Sequence, residues 1–225
     1  MTSVVSPNHG PFAAYPSPVA MRADLAVHII GLIFALFGGG IMLGLVVGTG
    51  SPWEAGAIAV YVGAFITMLA MSTAYNFAAA AWRPLLSRFD HAGIFLMIAG
   101  SYTPFTTQAL HGAWAIGMTV AAWVLAGIGI LGKLFLPGLS HRIWVVFYLA
   151  LGWLVLIAIR PIAQGVSVPA LVLLTVGGLV YSIGTLFYMS DRLKLRLAIW
   201  HSHVVLASIL HYVAILVGVV LVEAG

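Results

Sequence analysis

The sequence predicts an all-α integral membrane protein, a bundle of seven transmembrane helices. Of its 225 residues, 63% are hydrophobic and 6% are charged, and the mean hydropathy is +1.14. A soluble domain carries about 25% charged residues, so this chain is not expected to fold in water. Seven apolar stretches approach or exceed the ~20 residues that a helix needs to cross ~30 Å of hydrocarbon. They are 27–47, 56–81, 92–110, 113–131, 143–160, 168–189 and 197–222.

The basic residues predict how these seven spans are oriented. If the first residue is cytoplasmic, eight of the nine Lys and Arg residues lie at cytoplasmic ends or loops, and only Arg160 lies outside. The eight are Arg22, Arg83, Arg88, Lys133, Arg142, Arg192, Lys194 and Arg196. Short cytoplasmic loops of membrane proteins are enriched in Lys and Arg. We therefore expect the N-terminus to be cytoplasmic and the C-terminus external.

The connections predict one compact domain. Residues 1–21 form a polar N-terminal tail, and residues 22–225 form the seven-helix domain. Gly and Pro at 48–52 break the chain after the first span, and Pro137-Gly138 marks a turn after the fourth. Only 110–113 separate the third and fourth spans, so these two are expected to be antiparallel neighbours.

Composition also excludes several classes of function. The net charge of +4 is spread over short loops, where basic residues orient helices and meet lipid headgroups, so no nucleic-acid partner is expected. The chain has no cysteine, which excludes disulfides and thiolate metal sites. No nucleotide-binding motif or hydrolase triad is visible in the sequence. Membrane lipids are the expected partners, and the oligomeric state is left open.

Polar residues within the spans gather at the cytoplasmic ends. Such residues are costly in hydrocarbon, and each is a functional-site hypothesis by default. Because successive spans alternate in direction, those on spans one, two, three and seven reach one membrane depth. They are Asp24, His28, Ser72, Tyr75, Asn76, Asp90, His91, His201 and His203, with His211 deeper on span seven.

Structural roles remain open for each of these residues. Asp24 and His28 are one helical turn apart and could pair at the inner end of span one. Asp90 precedes an apolar run and could be the N-cap of span three. Ser72, Tyr75, Asn76 and His211 could be hydrogen-bonding groups between helices.

Motifs along nearly the whole chain then carry a family resemblance. They are Asp24-x-x-x-His28-x-x-Gly31, Ser72-x-x-Tyr75, Phe89-Asp90-His91-Ala92-Gly93, Ser101-Tyr102-Thr103-Pro104-Phe105, Gly177-Gly178-x-x-Tyr181-x-x-Gly184, Ala198-Ile199-Trp200-His201 and His211-Tyr212. This pattern resembles the hemolysin III family, the bacterial branch of the progestin and adipoQ receptor superfamily. The resemblance implies a seven-helix fold with an inside N-terminus, in the plasma membrane of a bacterium.

The resemblance also implies a zinc site, which this sequence departs from. In the family, three histidines bind zinc and an aspartate on the third helix holds a zinc-bound water, an arrangement proposed to hydrolyse lipid amides in adiponectin receptors and alkaline ceramidases. Here Asp90 matches the aspartate and His201 matches one ligand, but Asn76 and Leu197 stand at the other two positions. Leucine cannot ligate zinc, and an amide oxygen suits Ca²⁺ or Mg²⁺ better. We expect zinc to be bound weakly or not at all.

Three functions follow from these observations, in order of preference. The first is a non-catalytic membrane protein that keeps a degenerate version of the zinc site and acts in lipid binding or membrane homeostasis. The second is a metal-dependent lipid amide hydrolase, with Asp90 and Ser72 as catalytic candidates and His201 and Asn76 as metal-binding candidates. The third is a pore-forming cytolytic protein.

Overall fold

A computed structural model describes residues 15–136, 138–190 and 192–222. Within the first range, Thr49 is described by its backbone alone. Within these ranges the chain is helical, without a strand, as the sequence predicts. The first fourteen residues of the predicted tail lie outside the described part. The eight α-helices are α1 (Pro18–Thr49), α2 (Pro52–Phe77), α3 (Arg83–Gln108), α4 (Gly112–Phe135), α5 (His141–Gly152), α6 (Ile159–Gly165), α7 (Val168–Tyr188) and α8 (Arg196–Ile215).

Two further helical pieces complete the spans. A 3₁₀ helix, Leu154–Ala158, joins α5 to α6, so the fifth span consists of three segments, and a π-helical turn, Leu216–Val220, extends α8. Among the described residues, six segments are long and apolar enough to cross a membrane; the exception among the seven expected spans is α3. At 26 residues α3 is about 39 Å long, which is enough to cross. Its polar character is compatible with a membrane because it packs between α2 and α4.

Capping residues fix where the first two helices begin. The Ser17 hydroxyl accepts a hydrogen bond from the Ala20 amide at 3.2 Å, and Pro18 occupies the first turn of α1. Ser51 caps α2 in the same way through the Glu54 amide at 3.1 Å. Helix α1 thus begins four residues before the predicted domain boundary. Helix α3 begins at Arg83, so Asp90 lies two turns inside it and is not its N-cap.

Small residues allow the helices to approach closely around a closed ring. Helix α1 contacts α2 and α8, α3 contacts α2 and α4, α5 contacts α3, α4 and α7, and α7 contacts α8. A Cβ added at Gly100 on α3 would lie 2.6 Å from the Ala64 Cβ on α2, and one at Gly39 on α1 would lie 2.6 Å from Val62. The outer surface carries large exposed apolar side chains such as Ile30, Phe37 and Ile116, as lipid contact requires.

Candidate functional site: a buried polar cluster

The buried carboxylate of Asp24 is the centre of a polar cluster at one end of the bundle. Its side chain is fully buried on α1. His201 on α8 donates from Nδ1 to Asp24 Oδ1 at 2.6 Å, and the Tyr15 hydroxyl donates to Oδ2 at 2.5 Å. Both are hydrogen bonds to a charged acceptor, the stronger class. Burial, reinforced by the hydrogen bond to Asp24, raises the pKa of Tyr15, so its phenol stays protonated and remains a donor.

A chain of hydrogen bonds orients His28, one turn after Asp24. The main-chain oxygen of Asp24 can only accept, so His28 Nδ1, at 2.9 Å, must carry the proton and donate to it. In the neutral ring His28 Nε2 is then an acceptor, and the Ser72 hydroxyl lies 3.3 Å from it. Asn76 Nδ2 in turn donates to the main-chain oxygen of Ser72 at 3.0 Å and to its hydroxyl at 3.4 Å. Helices α1 and α2 are thereby linked at the cluster.

Asp24, His28 and His201 together could hold a metal ion. All three are buried, and one ligand atom from each lies within 4.8 Å of the others. The two imidazole rings are in edge contact, with centroids 4.4 Å apart. One carboxylate and two imidazoles form a donor set of the kind that catalytic zinc sites use. The chemistry of these residues therefore fits zinc.

The distances within the cluster are those of hydrogen bonds between its own members. Two ligand atoms at ~2.0–2.1 Å from a tetrahedral zinc lie about 3.3 Å apart. Asp24 Oδ1 and His201 Nδ1 are closer than that, at 2.6 Å, and the second oxygen of Asp24 is engaged by Tyr15. For Asp24 and His201 to ligate one ion through these two atoms, their mutual hydrogen bond would have to break. The carboxylate is therefore satisfied by two protein donors, Tyr15 and His201.

Other predicted site residues lie in a second group, on α2, α3, α5 and α7. His91 Nε2 is 3.3 Å from the Tyr188 hydroxyl, and the His91 ring lies 6.3 Å from those of Tyr75 and His141. Asp90 is half-buried and directly precedes His91 on α3. The single polar focus expected from the sequence is therefore two adjacent groups in the structure.

The two remaining histidines on α8 do not join the Asp24 cluster. His203 Nδ1 donates to the Ile199 main-chain oxygen at 2.8 Å, and its ring packs 5.1 Å from that of Phe187 on α7. His211 lies deeper, beside Tyr181 at 5.7 Å between ring centroids, and its Nε2 is buried with no hydrogen-bond partner among the described residues. The two-residue spacing from His201 explains why His203 faces another way, since it turns the side chain by ~200°.

An apolar cavity lies between α3, the fifth span, α7 and α8. Its volume is 180 Å³, and Met97, Phe105, Leu174, Gly178 and His211 are among its lining residues. Leu156 and Ile159 also line it and are 54% and 49% exposed, respectively. Because these two side chains also face the outside of the bundle, the cavity reaches the lipid-facing surface.

Tyr15 belongs to the Asp24 cluster but was not predicted from the sequence. It precedes α1 in the stretch predicted to be a polar tail, and its stacking on Phe77 at 5.9 Å holds it over the cluster. No spacing rule identifies such a residue, because it reaches Asp24 through a non-helical segment. The Asp24–His28 spacing, by contrast, was a visible signal that the two belong together, although their pairing with His201 required the fold.

Comparison with known proteins gives one consistent result. Residues 22–212 match the sequence model of the family described as haemolysin-III related. A hemolysin-3 homolog of Bacillus subtilis (strain 168) is 30% identical over 81% of this chain and 86% of its own length. The hemolysin-3 of Bacillus cereus is 33% identical over 59% of this chain and 60% of its own length. The human monocyte to macrophage differentiation factor is 29% identical over 56% of this chain and 52% of its own length.

Proposed function

This chain belongs to the hemolysin III family of multi-pass membrane proteins, and we propose that it is a lipid-binding member whose zinc site is degenerate. In this proposal the acyl chain of a membrane lipid occupies the cavity between α3, the fifth span, α7 and α8. The Asp24 cluster at one end of the bundle holds the helices together through its own hydrogen bonds.

The cavity is the observation that carries the proposal. An apolar cavity of about 150 Å³ accommodates a benzene molecule, so one of 180 Å³ accommodates a segment of hydrocarbon chain. Its walls are almost entirely aliphatic and aromatic, and Leu156 and Ile159 bring it to the lipid-facing surface. Binding sites for apolar ligands have this character, with a few polar groups that fix orientation. His211 Nε2, which lines the cavity and has no hydrogen-bond partner among the described residues, supplies such a group here.

The Asp24 cluster supports the non-catalytic form of the proposal. Asp24, the one carboxylate among the candidate ligands, already accepts two hydrogen bonds. Asn76, which replaces a histidine of the family pattern, hydrogen-bonds back to Ser72 on its own helix. Leu197, at the other replaced position, offers no ligand atom. A cluster of this kind is stable without an ion.

A matched pair of glycine substitutions tests lipid binding. Gly178→Leu would fill part of the cavity, because a Cβ there sits at an ordinary 3.4 Å from the Trp153 ring and the residue lines the cavity. Gly127→Leu makes the same change on α4, where an added Cβ meets nothing within 4 Å. Titration of the full-length protein with a fluorescent long-chain fatty acid should show at least tenfold weaker binding for Gly178→Leu and unchanged binding for Gly127→Leu. Equal affinity in all three proteins would overturn the proposal.

The second candidate function is a zinc-dependent lipid amide hydrolase, favoured by the donor set of Asp24, His28 and His201. These residues would hold the ion, and zinc supplies a Lewis acid that lowers the pKa of a bound water to about 7. His28 would ligate through Nε2 and give up its hydrogen bond from Ser72, and Asp90 would hold the zinc-bound water, as the family pattern implies. Release of fatty acid from a ceramide by the zinc-loaded protein, abolished by His201→Ala, would establish this function. The absence of release at stoichiometric zinc would exclude it.

A further inference from the structure

A second pocket lies at the end of the bundle where α1 begins and α7 connects to α8. Its volume is 340 Å³. Tyr15, Pro16 and Ala20 form one wall, and residues 192–198 form the other. Since Tyr15 also donates to Asp24, this pocket lies beside the buried cluster. It shares no lining residue with the apolar cavity.

The charged side chains that line this pocket are all basic among the described residues. Arg192, Lys194 and Arg196 line it, and no acidic side chain does so among the described residues. Arg192 and Lys194 are exposed, so their charged groups are available to a ligand from the water or the membrane surface. Three cations within five residues at a concave surface favour an anion.

The apolar residues around the pocket distinguish a lipid from a soluble anion. Leu193 and Leu195 line it together with the basic residues and are 37% and 40% exposed, and Val19, next to Ala20, is 70% exposed. The pocket also lies where α7 ends and α8 begins, and both helices are long enough to cross the membrane. Their ends are therefore expected at the level of the lipid headgroups. Basic pockets between membrane helices at this level are a recurring form of anionic headgroup site.

We propose that the pocket formed by Tyr15, Pro16, Ala20 and residues 192–198 binds the phosphate headgroup of an anionic phospholipid, with Arg192 and Lys194 as its main charged contacts. Leu193, Leu195 and Val19 then contact the glycerol end of the acyl chains. This site is distinct from the acyl-chain cavity of the proposed function, and occupancy of either can be measured without the other.

Native mass spectrometry of the full-length protein with phosphatidylglycerol tests this site. Each basic residue at a membrane surface contributes roughly fivefold to affinity, so Arg192→Gln with Lys194→Gln should weaken binding by about 30-fold. Phosphatidylcholine with the same acyl chains should bind the unmodified protein no better than phosphatidylglycerol binds this double variant. The charge-preserving exchange Arg192→Lys with Lys194→Arg should retain phosphatidylglycerol, which guards against a loss that reflects misfolding.

The matched control removes two exposed charges elsewhere, through Arg142→Gln with Arg160→Gln. This control should bind phosphatidylglycerol within twofold of the unmodified protein. An equal loss in both double variants would mean that net charge alone attracts the lipid, and would overturn the site. Displacement of phosphatidylglycerol by millimolar inorganic phosphate would assign the pocket to a soluble anion and overturn the lipid assignment.

Discussion

Removal of the Asp24 carboxylate tests how much the polar cluster stabilises the fold. In Asp24→Ala, the His201 Nδ1 donor and the Tyr15 hydroxyl both lose their acceptor. An unpaired buried donor costs about 1–3 kcal/mol, and a hydrogen bond to a charged group contributes about 1.5–3 kcal/mol. The Tyr15 hydroxyl is partly accessible and can turn to water, whereas His201 is buried. We expect Asp24→Ala to lower the free energy of unfolding by about 3–4 kcal/mol and Tyr15→Phe to lower it by about 1–2 kcal/mol.

A double-mutant cycle separates the two contacts. In the Asp24→Ala background, Tyr15→Phe should cost almost nothing, because its hydrogen-bond partner is already absent, giving a coupling energy of about 1–2 kcal/mol. The measurement is reversible unfolding of the purified protein in mixed detergent micelles, followed by circular dichroism. Buried charges are expensive to desolvate, and replacing them is stabilising in some proteins. An Asp24→Ala protein as stable as the unmodified one, or additive single effects, would refute the account of the cluster.

Three further predictions follow from the fold and the sequence. Topology-reporter fusions after Arg88, Lys133 and Arg196 should give a cytoplasmic signal, and fusions after Pro52 and Gly112 should give an external signal. Swapped signals would contradict the membrane orientation that the basic residues predict. The double variant Asn76→His with Leu197→His should bind one zinc per chain, because the two new histidines and His201 restore three imidazoles. Free zinc at 100 times its dissociation constant should then raise the free energy of unfolding by about 2.7 kcal/mol. Isothermal titration calorimetry that detects no zinc binding would contradict this. Gly100→Ala should lower the free energy of unfolding by about 1–3 kcal/mol, because the new Cβ would lie 2.6 Å from the Ala64 Cβ. The control Gly40→Ala should not lower it, because an added Cβ there meets nothing within 4 Å. Equal stability of the two variants would contradict the packing of α2 on α3.

Hydropathy predicts the spans because length and apolar content are local properties of the chain. The boundaries are less well predicted: α1 and α3 each begin nine residues, about two and a half turns, before the predicted stretch. The start of α1 is set by the cap residue Ser17 and by Pro18 in the first turn. Helix α3 shows the limit of composition alone. Among the described residues, α3 is the expected span whose sequence is too polar to be identified by hydropathy, yet its Phe95, Ala99 and Thr103 side chains are buried against its neighbours.

The candidate site was only partly visible in the sequence. Helical spacing places Asp24 with His28 and Ser72 with Asn76, and these contacts are present in the structure. The contact of Asp24 with His201 spans 177 positions and depends on α1 and α8 packing side by side, which no local pattern contains. The division of the polar residues into two groups has the same origin, since it depends on how far each helix is rotated about its axis.

Zinc content of the unmodified, full-length protein tests most directly whether the Asp24 cluster is held by its own hydrogen bonds. The protein is purified without chelators, incubated with one equivalent of zinc, desalted and analysed by inductively coupled plasma mass spectrometry. We predict well under one zinc per chain, because Asp24 is engaged by Tyr15 and His201 and two positions of the family pattern lack a histidine. One zinc per chain, with anomalous scattering at the zinc edge located between Asp24, His28 and His201, would contradict this account.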